Sequence, residues 1–200
     1  MYISKMETVV YTIGIVLTSF LIGSFPTAYI LVHTQHGKDL RQEGSGNIGT
    51  LNAFDVTRSR LTGLMVLLID LCKGAVPVGA VHVAVSEGLP PGHAMIFATG
   101  ALLGAVAGHH CSPWIGWKGG RGLATAAGAA LLVNPLLVAI WGMFWLAGFL
   151  KTRSVHFGNI AATVLLPFTV LIGEQVIGRA GLFPDDSGGI ILLAFLMALL

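Results

Sequence analysis

Long apolar stretches separated by short polar connections dominate this sequence. The first runs from about Val9 to Val32 without a single Asp, Glu, Lys or Arg. A helix needs roughly 20 such residues to cross a bilayer, and a signal peptide has an apolar region of only about 7–15 residues. Only 10% of the 200 residues are charged, whereas a soluble domain is about 25% charged. We therefore expect an all-α, polytopic integral membrane protein embedded in the lipid bilayer.

The apolar stretches predict about seven transmembrane helices, which we expect to form a single domain spanning residues 1–200. Asn134-Pro135 predicts a tight turn between the fourth and fifth helices, because proline disfavours helix in the residue before it. The last stretch reaches only about 16 Å at helical rise, so we expect the seventh helix to be incomplete or half inserted. The approximate spans are Val9–Val32, Leu61–Val85, Ala94–His110, Leu123–Val133 with its start in the glycine-rich segment at Gly116, Leu136–Leu150, Phe157–Ile177 and Ile190–Leu200.

Lysine and arginine residues are unevenly distributed between the two sets of connections. Lys5 and Arg179 belong to one face, and Lys73 lies inside a helix. Short cytoplasmic loops carry such an excess of basic residues, so the more basic face is predicted to be cytoplasmic and the N-terminus to lie outside. That face holds eight of the 11 basic residues: Lys38, Arg41, Arg58, Arg60, Lys118, Arg121, Lys151 and Arg153.

Charge and motif searches exclude several classes of function. A net charge of +2 without a basic stripe argues against nucleic-acid binding. Cys72 and Cys111 lie in or near apolar segments without CxxC spacing, which argues against a disulfide framework or a zinc site. The sequence has neither the G-x-S-x-G motif of serine hydrolases nor the H-E-x-x-H signature of zinc proteases.

Three glycines lie in the first loop of the basic face. Gly44, Gly46 and Gly49 allow the backbone to adopt positive φ and to approach a ligand closely. Successive exposed backbone N–H groups form an anion-binding concavity, to which Ser45 and Asn47 add short polar side chains. A loop of this composition is also often only a turn, so it leaves both interpretations open.

A second glycine-rich loop opens the fourth helix on the same face. Lys118 and Arg121 stand beside glycines that lead into a helix N-terminus, which suits a phosphate group. The G-x-x-x-x-G-K-[ST] spacing of nucleotide-binding loops is missing, and a basic anchor at the membrane surface is the alternative. Two such loops on one face favour a site for a small anionic molecule.

Two further polar features lie within the predicted helices. Asp70 and Lys73 are three residues apart, so they lie on one helix face, and charges inside a membrane usually pair or line a functional cavity. A structural ion pair is the simpler interpretation. His109 lies at the cytoplasmic end of the third helix, where a histidine most often serves as a helix-end hydrogen-bonding group.

Four motifs follow one another along nearly the whole chain. In this order and spacing they resemble the bacterial PlsY family of membrane glycerol-3-phosphate acyltransferases. The joint occurrence of the two loops around these helices is specific, although neither loop is specific alone. The matching residues are Gly44-Ser45-Gly46-Asn47-Ile48-Gly49, Asp70 with Lys73-Gly74, Gly108-His109, and Lys118-Gly119-Gly120-Arg121-Gly122 with Ala124-Thr125.

The resemblance implies a seven-helix enzyme of the cytoplasmic membrane with its site at the cytoplasmic face. It would transfer a fatty acyl group from acyl phosphate to the 1-hydroxyl of glycerol 3-phosphate, giving lysophosphatidate and inorganic phosphate. No metal, coenzyme A, acyl carrier protein or other cofactor is implied, and we expect a monomer. Acyl phosphate is a mixed anhydride, so positioning and charge stabilisation suffice for much of the catalysis. The H-x-x-x-x-D pair of many glycerolipid acyltransferases is accordingly absent.

The resemblance assigns catalytic roles to Ser45, Lys118 and His156. Ser45 matches the serine of the first motif, which contacts phosphate or hydroxyl, and Lys118 matches a phosphate-binding lysine. His156 stands where the family usually has a serine. The residues implied in binding substrate or phosphate are Gly44, Gly46, Asn47, Gly49, Asn52, Arg58, His109, Gly119, Gly120, Arg121, Gly122 and Thr125.

Departures from the family pattern favour a second interpretation. Leu51 replaces a threonine and Asp55 an arginine of the first motif, so either Arg58 or Arg60 supplies that phosphate contact or the contact is lost. The family's third motif follows the seventh helix, beyond Leu200. The alternative is therefore a non-catalytic homologue that binds an anionic lipid or phosphate ligand. A small transporter of a phosphorylated solute is a third hypothesis.

Overall fold

Helices make up all the regular structure in the part of the chain that is described, which confirms the all-α prediction. The structure, a computed structural model, describes residues 5–177, with side chains described through residue 173. The predicted last stretch, Ile190–Leu200, lies outside the described residues. The helices are α1 (Lys5–Gly23), α2 (Thr27–His36), α3 (Thr50–Thr57), α4 (Arg60–Ser86), α5 (Ala94–His110), α6 (Leu123–Val133), α7 (Pro135–Thr152) and α8 (Val155–Ile177), with 3₁₀ turns at Pro91–His93 and Pro113–Ile115.

Five helical segments between residues 5 and 177 are long and apolar enough to cross a membrane. They confirm a polytopic membrane protein. α6 is apolar but has only 11 residues, a length of about 16 Å, which is too short for a hydrocarbon core of roughly 30 Å. The five segments are Lys5–His36, which combines α1 and α2, Arg60–Ser86, Pro91–Ile115, Pro135–Thr152 and Val155–Gly173.

Two predicted helix boundaries are wrong. The fourth predicted helix begins at Leu123 rather than Gly116, because Gly116, Trp117 and Gly122 have φ values of 78°, 62° and 77°. An α-helix requires φ near −63°, so the chain between them cannot be helical. The first predicted helix is interrupted between α1 and α2, where Pro26 lacks a backbone N–H and disfavours helix in the residue before it.

The predicted helix break at Asn134-Pro135 is confirmed, since α6 ends at Val133 and α7 begins at Pro135; the tight turn there stays a prediction. The side chain of Asn134 accepts a hydrogen bond of 3.0 Å from the backbone N–H of Leu136, and Pro135 occupies the first helical position of α7. Both residues suit a helix start, since the first backbone N–H groups of a helix have no partner within it.

The chain divides into two compact units, Met1–Val133 and Asn134–Leu200. The first unit contains α1 to α6, and the second contains α7 and α8. The expectation of a single domain stays a prediction.

In the second unit, α7 and α8 form a helical hairpin. Arg153 ends α7 in the left-handed conformation, with φ of 55°, and its backbone N–H bonds to the carbonyl of Phe149. Between the helices, the indole Nε1 of Trp141 lies 3.2 Å from Thr163 Oγ1.

Glycines bring α5 against α1 in the first unit. A Cβ atom on Gly104 or Gly108 would overlap the carbonyl oxygens of Val16 and Phe20 in α1, and one on Gly23 would overlap that of Ala105 in α5. Small residues permit this close approach, which replaces the hydrophobic driving force that lipid does not supply.

The same kind of contact joins α4 to α6. A Cβ atom on Gly74 of α4 would overlap the carbonyl oxygen of Thr125, and one on Gly128 of α6 would overlap that of Leu71. The two backbones therefore touch one turn beyond the second glycine-rich loop. This contact places the start of α6 beside the buried Asp70 and Lys73 of α4.

We predict that Gly74→Ala destabilises the protein although alanine favours helix. The added methyl group meets backbone atoms of α6 that cannot rotate away, and overpacking of this kind costs about 1–3 kcal/mol. Thermal unfolding in detergent measures the effect. Gly14→Ala is the matched control, because a Cβ atom on Gly14 meets nothing within 4 Å; equal midpoints for the two variants would contradict the prediction.

Candidate functional site

Asn52 organises the first glycine-rich loop. Its side chain is 3% exposed, and its Oδ1 accepts a hydrogen bond of 2.9 Å from the backbone N–H of Ser45. Its Nδ2 donates to the carbonyl oxygens of Asn47, Glu43 and Leu40, at 2.9, 3.1 and 3.3 Å. One buried amide thus bonds to both ends of the loop, and the two hydrogens of its Nδ2 are shared among the three carbonyls.

Glycine is required at two positions of this loop. Gly44 and Gly46 have φ values of 59° and 71°, and a Cβ atom on Gly44 would overlap Asn52 Oδ1. Gly49, by contrast, is extended at the start of α3. Ser45, between the two left-handed glycines, has an exposed side chain.

Apolar residues anchor the first loop in the core. Leu40 and Ile48, on either side of the glycines, are 0% and 3% exposed and belong to a buried cluster with Ile115. Ile115 comes just before the second glycine-rich loop, so the two loops share one anchor. These buried apolar side chains hold both loops in place, although the glycine-rich part of the first loop is exposed.

An ion pair lies at the entrance to the first loop. Arg41 Nη2 lies 2.6 Å from Asp39 Oδ2, and this guanidinium lowers the pKa of the Asp39 carboxyl to about 2. The Arg41 guanidinium also lies 4.9 Å from the centre of the Tyr29 ring. Arg41 is therefore already engaged by its own loop and α2.

The end of α5 holds the second loop at Gly120. The backbone N–H of Gly120 donates to the carbonyl of His109 at 3.1 Å, and Nδ1 of His110 lies 3.1 Å from the carbonyl oxygen of Gly120. A Cβ atom on Gly119 would overlap the carbonyl oxygens of both histidines. The flanking Lys118 and Arg121 are exposed.

The two loops meet at Gly120. A Cβ atom there would overlap the carbonyl oxygen of Ile48 in the first loop. A cavity of about 10 Å³ lies at this junction, which is about the room for one water molecule. Its polar lining consists of Ser24, Thr27, Asp70, Lys73, His109 and Ser112, with the backbone of Gly119 and Gly120.

Buried charged residues line the cavity. Lys73 Nζ donates to Asp70 Oδ1 at 2.7 Å, with both side chains almost fully buried. His109 Nδ1 lies 3.8 Å from the same carboxylate oxygen and 3.2 Å from Thr125 Oγ1. Asp70, Lys73, His109 and Thr125 therefore form one connected group, which spans α4, α5 and α6.

Of the predicted catalytic and binding residues, only His109, Gly119 and Gly120 line this cavity. Most of the others, including Ser45 and Lys118, belong to the two loops or to the helices that follow them, whereas Arg58 and His156 lie elsewhere. Arg58 is exposed and ends α3, with φ of 55° and its N–H bonded to the carbonyl of Phe54. His156 is exposed in the first turn of α8, in the second unit. Their roles stay predictions.

Sequence reasoning missed the polar residues at the break between α1 and α2. Ser112 Oγ donates to the carbonyl of Ser24 at 2.6 Å, and Trp114 Nε1 donates to Ser24 Oγ at 2.9 Å. Thr27 Oγ1 is buried without a hydrogen-bond partner and lines the cavity. The sequence signal for them was Pro26 between Ser24 and Thr27 within an apolar stretch. A proline there predicts irregular backbone, and irregular backbone at membrane depth lines a cavity or is buried in protein.

The arrangement suits an anionic ligand. The start of α6 favours negative charge, and the exposed Lys118 and Arg121 supply positive charge just before it. Among the described residues, no group of three His, Cys, Asp or Glu side chains is placed to hold a metal ion.

Comparison with known proteins gives concordant matches. A family model described as glycerol-3-phosphate acyltransferase matches residues 13–200. Glycerol-3-phosphate acyltransferase 2 of Moorella thermoacetica is 37% identical over 155 residues, which cover 78% of this chain and 75% of that protein. A glycerol-3-phosphate acyltransferase of a Synechococcus species is 40% identical over 152 residues, covering 76% and 70%.

A solved structure matches as well. The crystal structure of PlsY (YgiH), an integral membrane glycerol 3-phosphate acyltransferase in its glycerol 3-phosphate form, superimposes with a TM-score of 0.73 at 26% identity, covering 94% of this chain and 84% of that chain. Since the family match extends over most of the sequence, the chain belongs to the glycerol-3-phosphate acyltransferase family and is an acyltransferase of the membrane.

Proposed function

We propose that this protein transfers a fatty acyl group from acyl phosphate to the 1-hydroxyl of glycerol 3-phosphate. The products are lysophosphatidate and inorganic phosphate. The observation that carries the proposal is the junction of the two glycine-rich loops at Gly120 and Ile48. It brings the loop that carries Ser45 against the loop that carries Lys118 and Arg121, as two phosphate-bearing substrates require.

The chemistry needs little from the protein beyond placement and charge. The 1-hydroxyl attacks the acyl carbonyl, a C–O bond forms, and the bond to phosphate breaks with phosphate as the leaving group. Lys118 and Arg121 offset the negative charge of the two phosphates and of the transition state. Ser45, held between two left-handed glycines, contacts phosphate or hydroxyl, and the departing phosphate accepts the hydroxyl proton.

The remaining predicted roles complete the proposal. His156 keeps the catalytic role that the resemblance assigns to it, and Arg58 substitutes for the arginine that Asp55 replaces. The loops face the cytoplasm, the N-terminus lies outside, and the enzyme works as a monomer in the cytoplasmic membrane. The excess of lysine and arginine on the loop side supports this orientation.

The direct test is product formation by the purified full chain in lipid. Acyl phosphate and glycerol 3-phosphate are supplied together, and lysophosphatidate and phosphate are measured. Equal amounts of the two products are expected. Binding of glycerol 3-phosphate in calorimetry without turnover would replace the proposal with the non-catalytic alternative.

We predict that Lys118→Ala raises the KM for glycerol 3-phosphate by about 10-fold or more, because a hydrogen bond to a charged group is lost. Steady-state rates at varied glycerol 3-phosphate give KM and kcat separately. Lys151→Ala, which removes another exposed lysine of the basic face, is the matched control. The same KM in both variants would exclude a phosphate-binding role for Lys118.

We predict that Asn52→Asp lowers kcat/KM by about 10-fold or more, because the loop carbonyls lose their donor and face a carboxylate. Asn134→Asp is the control, since its Oδ1 only accepts a hydrogen bond from Leu136 and aspartate preserves that acceptor. Activity assays with thermal unfolding measure both variants. Wild-type activity in Asn52→Asp would contradict the organising role of this amide.

A further inference from the structure

A line of buried polar groups runs from the middle of α4 to the second glycine-rich loop. Lys73 contacts Asp70, Asp70 approaches His109, and His109 bonds to Thr125, over N–O distances of 2.7, 3.8 and 3.2 Å. None of these residues is more than 8% exposed. The line therefore lies in an environment of low dielectric, where polar interactions are strong and unpaired groups are costly.

His109 connects this line to the loop. Its carbonyl accepts the N–H of Gly120, and its ring lies so close to Gly120 that a Cβ atom there would overlap Nε2. His110 bonds to the carbonyl of the same glycine. The peptide groups on both sides of Gly120 are therefore held by the last two residues of α5.

Thr125 closes the arrangement from the other side. It lies in the first turn of α6, directly after the loop, and its carbonyl oxygen contacts Gly74, next to Lys73. The loop from Lys118 to Gly122 is thus fixed at its centre by His109 and His110 and at its end by Thr125.

A contribution to folding stability does not by itself explain why these four polar residues are buried together. A buried ion pair gains little over well-packed apolar side chains, because both charges lose their hydration. A fully bonded polar network does, however, select one arrangement of the elements that it joins. The arrangement selected here is that of a loop with two exposed basic side chains.

We propose that Asp70, whose charge is balanced by Lys73, orients His109 and Thr125. Asp70, His109 and Thr125 are positioning residues: they hold the second loop so that its Lys118 and Arg121 face substrate phosphate. His109 acts through the loop rather than by contact with substrate. That Lys118 and Arg121 bind substrate phosphate rests on the proposed function. That the buried group holds the loop in place does not depend on it.

The loop is tested without any activity assay. Hydrogen exchange of the full chain in lipid is measured on peptides covering residues 116–123. Thr125→Val, which removes the hydroxyl, is expected to speed exchange there by about 2- to 10-fold, the effect of losing one hydrogen bond, with exchange in α1 unchanged. Thr99→Val is the matched control, a buried threonine on α5 nearly three turns from His109. Equal exchange in the two variants would overturn the proposal.

Kinetics test the link to substrate. Thr125→Val is expected to raise the KM for glycerol 3-phosphate about 2- to 10-fold while kcat changes by less than about two-fold. Thr125→Ser, which restores the hydroxyl, is expected to rescue KM. A fall in kcat at constant KM would instead place Thr125 at the reacting atoms and overturn a positioning role.

A third variant addresses Asp70 itself. Asp70→Asn alone leaves the Lys73 charge unbalanced and threatens folding, so Lys73→Met is added to it. The double variant is expected to fold, to exchange faster at residues 116–123 and to have a raised KM. A folded double variant with wild-type exchange would contradict the proposal.

The two proposals fail in different ways. A wild-type chain that makes no lysophosphatidate overturns the proposed function, and the exchange experiments still decide the role of the buried group. An active wild-type chain whose loop exchange ignores Thr125→Val overturns the positioning role alone.

Discussion

The contact between α4 and α6 is the interaction on which the site depends. Lipid offers no hydrophobic force to press helices together, so close packing of small residues must do it. Gly74 and Gly128 let the two backbones touch, and this fixes the start of α6 and thereby the end of the second glycine-rich loop. The same logic joins α5 to α1 through Gly104 and Gly108. Backbone contacts at glycines thus set how these helices cross.

Polar groups determine the conformation of the two loops, which helix packing alone does not fix. The two loops are irregular backbone near the membrane, where unpaired N–H and C=O groups are costly. Asn52, in the first turn of α3, bonds to the first loop at Ser45, Asn47, Glu43 and Leu40. The second loop depends on groups outside itself, namely His109 and His110 at the end of α5. The first loop is therefore held by the start of α3, which follows it directly in the chain, whereas the second loop is held by the end of α5.

Much of the fold could be predicted from hydropathy and proline. The stretches Leu61–Val85 and Ala94–His110 match α4 and α5 within a residue or two, and Asn134-Pro135 marks the start of α7. The errors arose where glycine decided the backbone. The fourth helix was predicted to start inside the glycine-rich segment at Gly116, but positive φ at Gly116 and Gly122 excludes helix there. Hydropathy also passed over the interruption at Pro26, because the residues around it remain apolar.

The sequence by itself determined that this chain is an all-α membrane protein and that its motifs resemble those of a known acyltransferase family. It also predicts that the basic loops share one face. Stretch length and charge count suffice for the membrane class and for the predicted orientation because each depends on local composition, whereas the resemblance rests on the four motifs. Only the tertiary structure decided that Ile48 and Gly120 touch, that Asn52 is a scaffold, and that Asp70 reaches the second loop through His109. Such relations depend on how distant helices cross, and the crossing is set by backbone contacts at glycines, which no local pattern encodes.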